Sequence, residues 1–167
     1  FIPRPETGER GAELPSGGYG GDGKDISMLT LNWKRFLKNT IFLCPDAYES
    51  CKINSSGFQW FDLNSEDTEY ILIESKKAEN KLKQYIEEIK LEYKLKSSQI
   101  CMSGFSQGCM ISLQTALKRK DKIKCLIGYS GKILNPHHLS KNIYSRPEIY
   151  LMHGDIDNVV PLNGLLE

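Results

Sequence analysis

The sequence predicts an α/β fold, a mostly parallel sheet with helices on both faces, and three observations predict it. Four short runs, 41–44, 99–103, 123–129 and 148–152, have the length and the Ile, Leu, Met and Tyr content of buried strands. Helical patterns precede the second run and separate it from the third, so strands and helices alternate, and each crossover lays a helix on a face of the sheet. At 167 residues the chain is the size of one domain, large enough to bury a core.

Taken in order, residues 1–17, rich in proline, glycine and charge, read as an irregular leader without periodicity, and 18–167 as a partial domain. Residues 26–37 fit a short helix. I-F-L-C at 41–44 is an apolar run closed by Pro45, and a long loop carrying Q-W-F-D at 59–62 follows. Between 70 and 95, Ile71, Ala78, Leu82, Tyr85, Ile86, Ile89 and Tyr93 recur at helical spacing among lysines and glutamates, which makes an amphipathic helix. The strand at 99–103 leads into a helical pattern over 110–120, and the strands at 123–129 and 148–152 complete the sheet.

Composition narrows the function classes. Forty per cent apolar residues, 26% charged residues and a net charge of +1 describe an ordinary globular protein, and no basic, aromatic-interleaved patch suggests nucleic acid as a partner. The five cysteines, Cys44, Cys51, Cys101, Cys109 and Cys125, are odd in number and contain no C-x-x-C, a usage that favours a reducing, cytoplasmic setting. No apolar run reaches the roughly 18 residues a membrane span needs, so stable membrane insertion is not expected.

Met102 to Met110 reads M-S-G-F-S-Q-G-C-M, which contains G-x-S-x-G between a strand and a helix. In that motif the serine sits on a sharp, strained turn, and the flanking small residues let strand and helix approach closely. Ser106 is the candidate nucleophile, and Gly104 and Gly108 hold the elbow. A glycine-bounded loop whose serine merely caps the helix is the competing reading. The Gln107 N–H lies at the helix N-terminus, where it can stabilise a developing oxyanion. A second donor can come from G-G-Y-G-G-D-G at 17–23, although a flexible glycine loop reads equally well.

L-M-H-G-D-I-D-N-V-V-P, 151–161, places Asp155 and Asp157 just past a strand end, where a carboxylate can orient an imidazole or simply cap a turn. Serine followed by aspartate is the chain order of the α/β-hydrolases, in which histidine comes last. The three histidines, His137, His138 and His153, all precede Asp157. His153 reads as a packed, hydrogen-bonded residue at a strand end, and His137 and His138 as part of a surface loop.

G-F-S-Q-G at 104–108, H-G-D-x-D-x-V-V-P at 153–161, C-P-D-A at 44–47, W-F-D at 60–62 and G-Y-G-G-D-G at 18–23 together resemble the acyl-protein thioesterase and carboxylesterase/phospholipase family of α/β-hydrolases. The likeness runs from about residue 18 to 162. It implies Ser106 as nucleophile, Asp157 as the orienting acid, an oxyanion hole from the N–H groups of Tyr19 and Gln107, and no metal or organic cofactor. Its implied substrates are small-molecule or lipidated carboxylic esters and thioesters, cleaved through an acyl-enzyme. Two departures stand out. P-S-G at 15–17 replaces the L-H-G that ends the family's first strand, so that strand is expected to be absent and Tyr19 poorly anchored. The family's catalytic histidine belongs a few tens of residues beyond Asp157, so the hydrolase fold is expected to be incomplete at both ends. A serine hydrolase is the leading expectation, and an inactive relic or acyl-binding protein of the same fold is the alternative. A peptidase of that fold ranks third, because the motif does not separate esters from amides.

Overall fold

A computed structural model describes residues 11–62 and 67–166. Five strands form one sheet: β1 (Gly11–Ser16), β2 (Thr40–Phe42), β5 (Ile100–Phe105), β6 (Cys125–Tyr129) and β7 (Glu148–Met152). Their spatial order is β2-β1-β5-β6-β7, and every neighbouring pair is parallel. Two short strands, β3 (Glu49–Ser50) and β4 (Phe58–Gln59), make a separate antiparallel pair inside the long loop, where the sequence shows no strand signal.

Strand β1 corrects the expectation of an irregular leader up to residue 17 and of a missing first strand; residues 1–10 of that leader lie outside the described residues. G-A-E-L-P-S looks unlike a central strand because Glu13 and Pro15 interrupt its apolar character, and Pro15 lacks the N–H a ladder uses. The register removes the objection. The Leu43 N–H donates to the Glu13 carbonyl, so residue 13 turns its backbone groups toward β2. Residue 15, two further on, must turn the same way, and there the last registered pair is Glu13↔Phe42. The missing N–H falls where no partner strand remains.

The helices are α1 (Gly23–Trp33), α2 (Thr68–Tyr93), α3 (Gln107–Leu117), α4 (Pro136–Ser140) and α5 (Asn163–Leu166). Asp22 starts α1 by accepting from the Asp25 N–H at 2.7 Å, and Asp67 starts α2 by accepting from the Glu69 and Tyr70 N–H groups. Lys94, in the left-handed region at φ 54°, ends α2. Leu82, Ile86 and Ile89 of α2 and Met110, Ile111 and Leu113 of α3 pack with Leu14, Met102 and Leu126 of the sheet into the main core. On the other face α1 places Trp33 with its ring 6.2 Å from that of Phe42, which is registered against Glu13.

Two further expectations change. Strand β7 is not buried: it pairs with β6 on one side only among the described residues, and Tyr150 and Met152 are 55% and 45% exposed. His137 and His138 lie in α4 rather than a loop, with the Asn135 side chain accepting from the His138 N–H at 2.9 Å.

Candidate active site

Ser106 sits where β5 passes into α3, with φ 51° and ψ −116°. A positive φ is uncommon for a residue with a Cβ, and strain of this kind gathers at functional sites. The surrounding residues hold it there. Its N–H donates to the Tyr129 carbonyl at 2.8 Å, and its carbonyl accepts from Met110 N–H at 3.1 Å. A Cβ on Gly104 would stand 2.5 Å from the Cys109 nitrogen, and one on Gly108 would stand 2.4 Å from the Ser16 carbonyl oxygen. Both glycines are therefore required by backbone contacts at the elbow. Ser106 occupies the N-cap position of α3, yet its hydroxyl makes no capping hydrogen bond. Ser106 is half-buried, and its hydroxyl is thus not spent on holding the helix.

Gln107 is fully buried, and its side chain has a task that no sequence pattern signals. Its Oε1 accepts from the Trp60 N–H at 2.7 Å and its Nε2 donates to the Phe61 carbonyl at 2.7 Å. These two bonds to the backbone fix W-F-D at 60–62 beside the elbow, and Trp60 and Phe61 are core residues, 3% and 0% exposed. As the first residue of α3, Gln107 also carries one of the backbone N–H groups that the helix itself leaves unpaired.

The loop carrying Tyr19 is tied down rather than poorly anchored. The Trp60 indole N–H donates to the Gly17 carbonyl at 3.2 Å, and the Gly20 N–H donates to the Phe58 carbonyl at 2.9 Å. Phe58 N–H returns a bond to the Gly21 carbonyl at 3.0 Å, while Asn54 Nδ2 donates to the Gly20 carbonyl at 2.8 Å. Gly20 itself has φ 79°, a conformation open to glycine. Gly18 lies against the elbow, since a Cβ there would stand 3.4 Å from the Ser106 Cβ. The loop and the nucleophile candidate are therefore neighbours. Its far end is fixed by the chain that follows: Asp22 caps α1, and the Gly23 N–H donates to Asp46 of C-P-D-A at 2.6 Å.

Asp157 lies in the turn after β7. Its Oδ1 accepts from the Val159 and Val160 N–H groups, both at 2.9 Å, so one carboxylate oxygen does cap a turn. These backbone bonds, with smaller contributions from the Ser130 hydroxyl and His153, hold its carboxyl below the usual aspartate range. Asp157 is therefore anionic at neutral pH. His153 Nδ1 is 3.1 Å from the Gly154 carbonyl, and its buried Nε2 has no hydrogen-bond partner among the described residues. His137 Nε2 lies 2.9 Å from Lys141 Nζ on the outer side of α4. Among the described residues no histidine makes a hydrogen bond to Ser106 or Asp157.

Ser130, at φ 47°, is not among the residues that the sequence singles out. Its N–H donates to the Met152 carbonyl at 2.9 Å, which ties the end of β6 to the end of β7. Gly128 and Gly131 around it make room for Cys109, since a Cβ on either would come within 2.5 Å of that sulfur. The available signal is G-Y-S-G at 128–131, two glycines at a strand end.

The family model described as phospholipase/carboxylesterase matches residues 17–164. Acyl-protein thioesterase 1 of Saccharomyces cerevisiae is 30% identical over 135 residues, covering 75% of this chain and 59% of that protein. Acyl-protein thioesterase 1 homolog 1 of Dictyostelium discoideum is 27% identical over 130 residues, covering 71% of this chain and 56% of its own length. The chain thus spans little more than half the length of these relatives. Among solved structures, the esterase PE8 superposes with a TM-score of 0.90 at 32% identity, over 98% of this chain and 77% of that one. Acyl-protein thioesterase 2 of Zea mays, at 22% identity and a TM-score of 0.62, covers 96% of this chain and 78% of its own and shares the fold.

Proposed function

Since this chain belongs to the phospholipase/carboxylesterase family, we propose that it acts as a serine hydrolase of carboxylic esters or thioesters through an acyl-enzyme. The observation that carries the reading is Ser106, held at positive φ at the head of α3 with its hydroxyl unused by the helix. In this reading Ser106 Oγ attacks the acyl carbonyl, and the tetrahedral oxyanion is received by the N–H groups of Tyr19 and Gln107, aided by the positive end of the α3 dipole. Asp157, kept anionic by Val159 and Val160, orients the imidazole that takes the serine proton and returns it to the leaving group. Water then releases the acid and regenerates the serine. Small-molecule and lipidated acyl carriers are the substrate class. Five unbridged cysteines support a reducing cytoplasmic setting, and among the described residues no helix is long and apolar enough to cross a membrane.

The second reading, an acyl-binding protein without turnover, is favoured by one fact: no histidine among the described residues is bonded to Ser106 or Asp157. A single experiment separates the two. The full-length gene product should hydrolyse a short p-nitrophenyl ester and take a fluorophosphonate label on Ser106, and Ser106→Ala should lose both, with a rate loss of at least about a thousandfold. Equal rates for parent and variant would defeat the enzyme reading, and absence of both rate and label in the parent would favour the acyl-binding one.

A further inference from the structure

Cys101 on β5 and Cys125 on β6 are directly opposite each other in the parallel ladder, and their sulfurs stand 2.9 Å apart. Both thiols are unbridged and half-buried. They lie at the starts of their strands, the opposite end of β5 from Ser106, so the proposed hydrolytic chemistry makes no use of them. From this geometry we propose that Cys101 and Cys125 form a dithiol modification site, oxidised by hydroperoxides to an intrachain disulfide that staples β5 to β6.

Two features support the assignment. Neighbouring strands are spaced roughly 4.8 Å apart, inside the Cα separation of about 4.4–6.8 Å that a disulfide bridges. Because the two residues are registered partners, their Cβ atoms leave the sheet on the same face, and the sulfurs have only to close from 2.9 Å to about 2.05 Å. Burial, then the neighbouring Cys125, hold the Cys101 thiol above its ordinary range, so its oxidation calls for excess hydroperoxide. By contrast, Cys109 is enclosed beneath Gly128 and Gly131, and as a helical residue it faces no thiol across a ladder.

The chemistry balances with the hydroperoxide as the only co-reactant. One thiolate attacks the peroxide O–O bond, giving a sulfenic acid and releasing an alcohol, or water when the oxidant is hydrogen peroxide. The second sulfur then displaces the sulfenic hydroxyl, which leaves as water with the remaining thiol proton, and the two sulfurs are bonded. Two sulfurs are oxidised by one electron each and one peroxide bond is reduced.

The test treats the full chain with hydrogen peroxide, alkylates the remaining thiols and maps peptides under non-reducing conditions. The expected result is a peptide pair linked through Cys101 and Cys125 and released by dithiothreitol, with two of the five alkylatable thiols lost together. The oxidised chain should also melt several degrees higher than the reduced one and revert on reduction. In Cys125→Ser the cross-link should vanish and Cys101 should be trapped as a dimedone adduct. Five alkylatable thiols after treatment, a loss confined to Cys44, Cys51 or Cys109, or cross-links only between chains would overturn the proposal. Each of these overturning results is measured on the parent protein, so poor folding of a variant does not affect them.

Discussion

Gln107 shows how much one residue type can carry at this elbow, and how little of it a linear reading reveals. G-x-S-x-G names Gly104, Ser106 and Gly108 because their reasons are local: a turn, a close approach, a strand meeting a helix. The carboxamide of Gln107 occupies an unspecified position of that motif, and its partners Trp60 and Phe61 are far away in sequence. Only the folded backbone brings an N–H and a carbonyl to the two ends of one amide. Glu13 is equally opaque. It is 5% exposed inside a central strand, and burial holds its carboxyl above the usual range. A folded-state pKa raised above the unfolded value, about 4.3 for glutamate, gives stability that is fully present below that value and lost as pH rises through the folded one. Glu13→Gln is therefore expected to melt higher than the parent near pH 7.5, with the gap closing toward pH 4. Calorimetry at the two pH values checks this, and an unchanging gap would contradict it.

At the scale of elements, the long helices and apolar strands are legible and the short or interrupted ones are not. Helix α2 announces itself through Leu82, Ile86 and Ile89 on one stripe, whereas β3 and β4 are two residues each and offer no period to detect. The apolar content of β7 is visible, but its exposure follows from its having a ladder partner on one side only among the described residues, which composition does not encode. The link between α2 and the end of α3 is also hidden, because it is polar. Arg119, nearly buried, donates to Glu87 at 2.6 Å and to Asp121 at 2.8 Å, and Lys90 reaches the same two carboxylates. Against the upward push of burial, Lys90, Ser97 and Arg119 hold the Asp121 carboxyl well below its usual range, and Arg119 and Lys90 do the same more weakly for Glu87. Depressed folded-state values contribute stability above the unfolded pKa, about 4, and that stability is lost as pH falls through the folded values. Urea midpoints should accordingly drop as the pH is lowered from about 5 to 3, and the drop should be shallower in Asp121→Asn. Parallel profiles for the two proteins would show that this cluster does not govern acid sensitivity.

At the scale of the whole molecule, the strand order explains why the site is a product of the full sheet. The elbow strand β5 lies between β1 and β6, and its neighbour on one side comes from the very start of the described chain: residue 12 is registered against residue 100. Gly108 rests on the carbonyls of Ser16 and Gly17, so the bend that displays Ser106 has its floor in β1. Such pairing gives the chain a high contact order, and folding should fall in the slow range of milliseconds to seconds. Stopped-flow refolding followed by the fluorescence of the buried Trp60 tests this, and full amplitude recovered within microseconds would refute it. During synthesis the consequence is sharper. While α2 is still being made, a nascent chain can pair β1 with β2 alone, so the edge that will receive β5 stays open until the elbow strand has emerged, and that edge is the segment most in need of chaperone protection.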